Sequence, residues 1–282
     1  MQNEETRLTH VLPHSHTVFL KLGGSIITDK TRADSARHDV IRRLAREVRA
    51  ALDARPATRL VLGHGSGSFG HVAAKKHGTR DGARDAAEWF GYAEVAASAA
   101  RLNQIVTDIF VEERVPVVSL PPSASALCDD GTLIHLDTAV LHAHLRHGLI
   151  PLVYGDVALD AVRGATIVST EDVFAYLADE LEVDRVLLAG EVAGVYADAS
   201  MTGAVVSLIT PSTFDALSSG LGGSHGVDVT GGMFAKVRQM IDWVQAHPSS
   251  SVRIFSAAEG GTLEHVLVDP GAAAGTEIRR DA

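Results

Sequence analysis

Residues Arg59 to His71, RLVLGHGSGSFGH, constrain this chain more than any other stretch. Leu60-Val61-Leu62 is an apolar run of the kind that forms a buried strand. Gly63, Gly65, Gly67 and Gly70 follow within eight residues, with His64 inside the loop and His71 at its end. A strand running through such a loop into a helix suits an anion. Glycine lets the backbone come close, successive N–H groups converge, and the helix start adds partial positive charge. A ligand-free tight turn accounts for one glycine, but not for this density beside two histidines.

The same loop holds Gly65-Ser66-Gly67-Ser68-Phe69-Gly70, a literal GxGxxG, which raises a dinucleotide-binding rival. That fold needs an acidic residue about 20 residues on, at the end of the next strand. The corresponding region, DGARDAAEWFGYAEVAASAARLNQIVTDIF, reads as helix, so the rival lacks its second half.

The chain has 282 residues, enough for one large α/β unit or two closely joined lobes. Lys+Arg 25 against Asp+Glu 35 gives a net charge of −10, a poor match to nucleic acid or an anionic membrane. Any phosphate site must then concentrate positive charge locally. Lysine occurs only five times, as Lys21, Lys30, Lys75, Lys76 and Lys236, against 20 arginines. A lysine kept in such a chain suits a place that wants a compact ammonium on a flexible stem. The single Cys128 excludes an intramolecular disulfide and fits a reducing compartment. No apolar run has the length of a membrane span, and the first residues lack the pattern of a signal peptide. We expect a cytoplasmic protein with a flexible tail over residues 1–16.

Along the chain, TVFLKL (17–22) reads as the first strand, followed by Gly23-Gly24-Ser25. Residues 38–54 form an amphipathic helix with Val40, Ile41, Leu44, Val48 and Leu52 on one face, and the arginines between them face solvent. Residues 85–113 are helical, with a break expected near Gly91. Residues 137–147 form a helix whose His142, His144 and His147 lack a metal-binding pattern and read as surface. A strand at 150–154 leads to Gly155-Asp156, and residues 158–168 suggest a hairpin turning at Arg163-Gly164. A helix follows at 171–181, capped by Ser169 or Thr170. After a strand at 185–189 comes a second glycine-rich region, 220–232, and then a helix carrying Lys236. Alternating strands and helices predict an α/β fold with an open, mainly parallel sheet covered by helices on both faces.

Three loops could hold phosphate: 23–25, 63–70 and 230–232. Ligands of open α/β sheets bind beyond the carboxyl ends of strands, so three anion loops there imply one large phosphorylated ligand or two smaller ones. No GxxxxGK[ST] is present, nor the motif set of protein kinases.

Lys21-Leu-Gly-Gly-Ser25 with Lys30, His64 to His71, Gly155-Asp156-Val157, and Asp228-Val-Thr-Gly-Gly-Met233 with Lys236 resemble the amino acid kinase superfamily, in particular its isopentenyl phosphate kinase branch. The resemblance spans about Val18 to Ile278. KLGGS is widespread in the superfamily, whereas the loop ending in His71 marks members with a phosphate acceptor, fosfomycin kinases included. The resemblance implies an acceptor lobe (17–162) and a nucleotide lobe (163–282), with ATP and Mg²⁺ required. Lys21, Lys30, His71 and Lys236 would be catalytic. Gly23, Gly24, Ser25, Gly67, Glu171, Asp172, Gly231 and Gly232, with Lys21 and Lys236, would bind ATP. Ser66, Gly70, His71 and Gly155 would hold the acceptor phosphate. No protein metal ligand is implied, and we expect a homodimer.

The chain departs from the family pattern at three places. Ser66 replaces the middle of three glycines. Glu191 and Ala193 replace two aspartates after the strand near 189. Glu171 stands where a shorter acid is usual. The expected reaction is ATP-dependent phosphorylation of isopentenyl phosphate. The alternatives are a kinase for another small phosphate or phosphonate, and a non-catalytic nucleotide-binding regulator.

Overall fold

The computed structural model describes residues 16–29, 31–197, 203–214 and 229–281. β1 (Thr17–Leu22) lies inside the larger sheet. Val18, Leu20 and Leu22 serve one hydrophobic cluster and Phe19 the opposite one, the alternation expected of a strand covered on both faces. β1 pairs in parallel with β2 (Arg59–His64) on one side and β9 (Arg185–Gly190) on the other. Beyond β2 lie β6 (Ile150–Tyr154) and β3 (Val117–Ser119). Beyond β9 lie β11 (Ser251–Ser256), β12 (Thr276–Ile278) and β10 (Leu208–Ile209). Among these described strands only β11 and β12 pair antiparallel. The chain winds one way from β1 and the other way from β9, so their junction is a topological switch point.

Helices cover both faces. α2 (His38–Ala54), α4 (Ala86–Glu112) and α8 (Thr262–Val268) pack on one through Ile41, Leu44, Leu102, Val106 and Leu263. α5 (Ala139–Arg146), α6 (Thr170–Ala178) and α7 (Val229–Ala246) pack on the other through Leu141, Phe174, Leu177, Met240 and Val244. Two further helices start at the loops after β1 and β2, α1 (Gly24–Ile27) and α3 (Gly67–His77).

The structure differs from the sequence reading in three respects. α4 runs unbroken through Gly91, because a side chain there would press on His77 of α3, 2.6 Å from its Cβ. Glycine lets the two helices touch rather than ending one of them. A second sheet, unexpected from sequence, joins β5 (Thr132–His135), β4 (Leu127–Asp129), β7 (Asp156–Asp160) and β8 (Gly164–Val168). The last two form the expected hairpin. The arginines of α2 also do more than face water. Arg42 and Arg46 pair with Glu113 after α4, and Arg43 donates to the carbonyls of Ala257 and Ala258 while pairing with Glu47. Buried Glu47 accepts from the backbone N–H groups of Leu263 and Glu264, so α2 caps the start of α8.

Candidate active site

The loop after β1 and the loop after β2 meet backbone to backbone. A methyl on Gly24 would lie 2.5 Å from the nitrogen of Gly67 and 2.6 Å from its Cα. Gly67 has φ of 51°, in the left-handed region, and a methyl there would strike the Thr28 hydroxyl at 2.3 Å. Thr28 ties the pair together: its Oγ1 donates to the carbonyl of Gly24 at 2.7 Å and accepts from the N–H of Ser68 at 3.0 Å. Gly65 N–H donates to the carbonyl of Leu22, and Gly23 N–H to that of Ala189, at the β1–β9 junction. The carbonyl of His64 accepts from Gly155 N–H at 3.2 Å and from Thr170 Oγ1 at 2.7 Å. Five chain segments distant in sequence thus share one edge, where α3 directs its N-terminal amides and positive dipole end.

Lys21 points along this edge and pairs with Glu171 in the first turn of α6; the two side chains are 13% and 8% exposed. Burial pushes the Glu171 carboxyl up, but Lys21 and then Lys236 outweigh it and hold it below the usual carboxylate range. Both lysines therefore act on one buried carboxylate. The approach of Lys236 follows from α7's docking. Gln239, three residues on and on the same helical face, donates to Asp172 Oδ1 at 3.1 Å. The other Asp172 oxygen completes a capping box with Ser169, which settles the cap of α6.

Behind the loop lies a buried polar group. His64, 1% exposed, stacks on Tyr154 with ring centroids 5.4 Å apart and planes 7° apart. Its Nδ1 is 3.1 Å from the carbonyl of Gly65 and its Nε2 3.2 Å from the Asn103 amide. Burial, with a smaller push from the nearby Lys21, lowers its pKa to about 4 against these contacts. Burial also raises Tyr154 and Asp156, although Asp156 accepts from the N–H groups of Ser123 and Val157.

An acid-sensitivity follows. The unfolded chain protonates His64 as pH falls below 6.5, whereas the folded chain resists until about 4. Stability is fully present above the unfolded value and declines between the two, by about 3 kcal/mol for this group alone. Urea melts of the wild type and His64→Phe across this range check it. The variant should lose less stability on acidification, and equal losses would exclude His64 as the cause.

The structure brings Lys21, Gly23, Gly24, Ser25, Ser66, Gly67, Gly155, Glu171, Asp172 and Lys236 to the same sheet edge or the helices facing it. Gly70 packs on Ser66, with a methyl there only 2.5 Å from Ser66 Cβ. Gly231 and Gly232 lie in the first turn of α7. His71 is the fifth residue of α3, with its side chain outside the described residues; Lys30 is outside them entirely. Lys75 and Lys76 are exposed, and Lys76 pairs with Glu94. Sequence reading missed Thr28, one helical turn beyond Gly24, and Thr170, which joins α6 to the β2 loop. A cleft of about 570 Å³ opens beyond β9 and β11, lined by Glu191, Ala193, Tyr196, Phe255 and Ser256 among others, with Glu191 paired to Arg37 at 2.8 Å.

A switch-point site of glycine-rich loops and paired lysines, on a mainly parallel sheet, is that of a small-molecule phosphotransferase. The chain belongs to the amino acid kinase family, whose model matches residues 16–256. Its relatives lie with the isopentenyl phosphate kinases. It is 32% identical to isopentenyl phosphate kinase of Methanocaldococcus jannaschii over 92% of this chain and 97% of that protein. It is 40% identical to that of Haloferax volcanii over 79% and 87%. A solved isopentenyl phosphate kinase superposes with a TM-score of 0.77 at 28% identity, covering 93% of this chain and all of that one. A substrate complex of isopentenyl phosphate kinase gives 0.73 at 25%.

Proposed function

We propose that this chain transfers the γ-phosphoryl group of ATP to isopentenyl phosphate, giving isopentenyl diphosphate for isoprenoid biosynthesis. The supporting observation is the meeting of the 23–25 and 65–67 loops beside the Lys21–Glu171 pair, in a chain matching isopentenyl phosphate kinases over nearly the whole length of both. Residues 17–162 serve as the acceptor lobe and 163–282 as the nucleotide lobe, with the nucleoside over the ends of β9 and β11. Ser66, Gly70, His71 and Gly155 hold the acceptor phosphate. Gly23, Gly24, Ser25, Gly67, Gly231 and Gly232 face the phosphates of ATP, with Glu171 and Asp172 ordering that side.

Phosphoryl transfer through a loose transition state depends on alignment and charge stabilisation. A phosphate monoester has its second pKa near about 6, so the attacking oxygen is already ionised at neutral pH and no general base is needed. Lys21, Lys30 and Lys236 neutralise developing charge, and His71 donates to the acceptor phosphate. The carboxylates at this edge already have other partners. Glu171 is committed to Lys21, and Asp172 to its cap and Gln239. Among the described residues no group of three or more His, Cys, Asp or Glu could hold a metal. The described residues do not fit Mg²⁺, which would arrive chelated to the triphosphate. The enzyme acts in the cytoplasm as a homodimer; no described helix is long and apolar enough to cross a membrane.

The acceptor's tail lies toward the first half of α4, where Trp89 and Phe90 are 39% and 67% exposed. Each buried methylene contributes about 0.8 kcal/mol, so a five-carbon tail separates isopentenyl phosphate from fosfomycin by a few kcal/mol. In an assay of ATP consumption with isopentenyl phosphate, dimethylallyl phosphate, fosfomycin and carbamate, kcat/KM for the first should exceed that for fosfomycin by about a hundredfold or more. A preference for fosfomycin would replace the acceptor. No turnover of any would favour a nucleotide-binding regulator.

A further inference from the structure

Phosphoryl transfer as described assigns no task to His64, although it is 1% exposed and both its backbone and its ring make contacts at the loops. Its backbone carbonyl gathers Gly155 and Thr170, and its ring reaches the carbonyl of Gly65, the next residue. Beyond the ring, the Asn103 amide of α4 contacts Ser119 Oγ at the end of β3, at 2.6 Å. Asn103 is 5% exposed, so this chain of polar groups has little access to water.

Satisfying the chain sets the direction of every hydrogen bond. Burial and the neighbouring Lys21 keep the ring neutral near pH 7, so it carries one N–H and one lone pair. A backbone carbonyl can only accept. The ring proton therefore belongs on Nδ1, donating to Gly65. The bare Nε2 then needs a donor; the structure places Asn103 Oδ1 toward the ring and Nδ2 toward Ser119 Oγ, and we assign the amide the opposite way, with its NH₂ end facing the ring. Turned that way, the amide oxygen accepts from the Ser119 hydroxyl. The two ends of an amide have the same shape, so both contacts keep their lengths and each group gains a partner.

We propose that His64 is a positioning residue for the acceptor-phosphate loop: its Nδ1–H holds the Gly65 carbonyl on the buried side and so turns the Ser66 N–H of the same peptide toward the bound phosphate. This rests on the acceptor site proposed above. The geometry behind it is elementary. The peptide joining Gly65 to Ser66 is trans, and in a trans peptide C=O and N–H point in opposite directions. A carbonyl fixed against a buried ring leaves the N–H facing away from the interior. The same ring is fixed by Asn103 on α4, the helix against which the acceptor's tail lies. The tail wall and the phosphate loop are thus held in register through one imidazole.

Three substitutions separate positioning from bulk support. His64→Phe keeps a ring to stack on Tyr154 and removes both polar contacts. His64→Asn places an amide N–H near the position of Nδ1, and His64→Gln places one nearer Nε2. KM for isopentenyl phosphate should rise about tenfold in His64→Phe, the worth of one hydrogen bond, with KM for ATP changed less than about twofold. His64→Asn should recover most of the loss and His64→Gln should not. If both KM values rise together, if acceptor KM is unmoved, or if Asn and Gln behave alike, the proposal is overturned. Should His64→Phe fail to fold, the Asn–Gln comparison decides alone. Turnover of isopentenyl phosphate by the wild type tests the function separately. If that turnover is absent, titration of the Asn and Gln variants with inorganic phosphate, followed by ³¹P NMR, reads the same difference.

Discussion

Lys21→Ala should lower kcat by about 10²–10³-fold, as loss of one charge-stabilising donor does at other phosphoryl- and acyl-transfer sites. It should also destabilise the fold, which is unusual for a residue at an open ligand edge. Lys21 is the direct partner of Glu171, whose side chain is 8% exposed, and removing one member of a buried pair leaves the other charge stranded at a cost of about 3 kcal/mol. Lys236, which also favours the ionised Glu171, offsets part of that. The two effects can be separated. Lys21→Met with Glu171→Gln should restore much of the stability but none of the activity, because the carboxylate no longer needs a partner while the phosphate still does. Urea unfolding and steady-state kinetics on the single and double variants check this. If the double variant regains activity, Lys21 has no charge role. If Lys21→Ala is fully stable, the pair does not hold the edge together.

His71→Ala should lower turnover of isopentenyl phosphate by about 10²-fold, with a smaller effect on ATP affinity. His71 stands at the fifth position of α3, directly after the glycines that shape the loop. Because the acceptor oxygen is already ionised near pH 7, the expected role is donation and not base catalysis. His71→Gln, which keeps a donor and cannot act as a base at that pH, should therefore retain part of the activity. A Gln variant as inactive as the Ala variant would point back to proton transfer. An Ala variant that matches the wild type would remove His71 from the site.

The parts of this architecture readable from sequence are those written in local chemistry. The apolar runs at 17–22 and 59–64, each broken by glycine, are β1 and β2, and Ser169 caps α6 as its position before an acidic turn suggests. The second sheet was not readable. β4 has three residues and β5 four, too short for an alternation to show, and the exposed Ile134 and Leu127 blur what pattern there is. Gly91 looked like a helix break because its purpose, room for His77, comes from another helix. The resemblance gives His71 a role at the loop and gives His64 none. His64 lies buried against Tyr154, Asn103 and Lys21, none of them adjacent to it in the chain, so its place is not written in local sequence. The pairing of Lys21 with Glu171, 150 residues apart, is likewise a product of topology.

The contact between Gly24 and Gly67 bears on how such a site can diversify. Neither position tolerates a methyl group without moving the other's backbone, and Gly67 has the further obstacle of Thr28. The loop proposed to face the nucleotide and the loop proposed to face the acceptor are therefore not separate modules. A library that randomises positions 65–67 alone to reach new acceptors should return glycine at 67 almost invariably. Exchange of acceptor range must enter through residues outside this contact, such as the positions of α4 proposed to face the acceptor's tail, or by transplanting residues 23–28 and 65–68 from a relative as a single block.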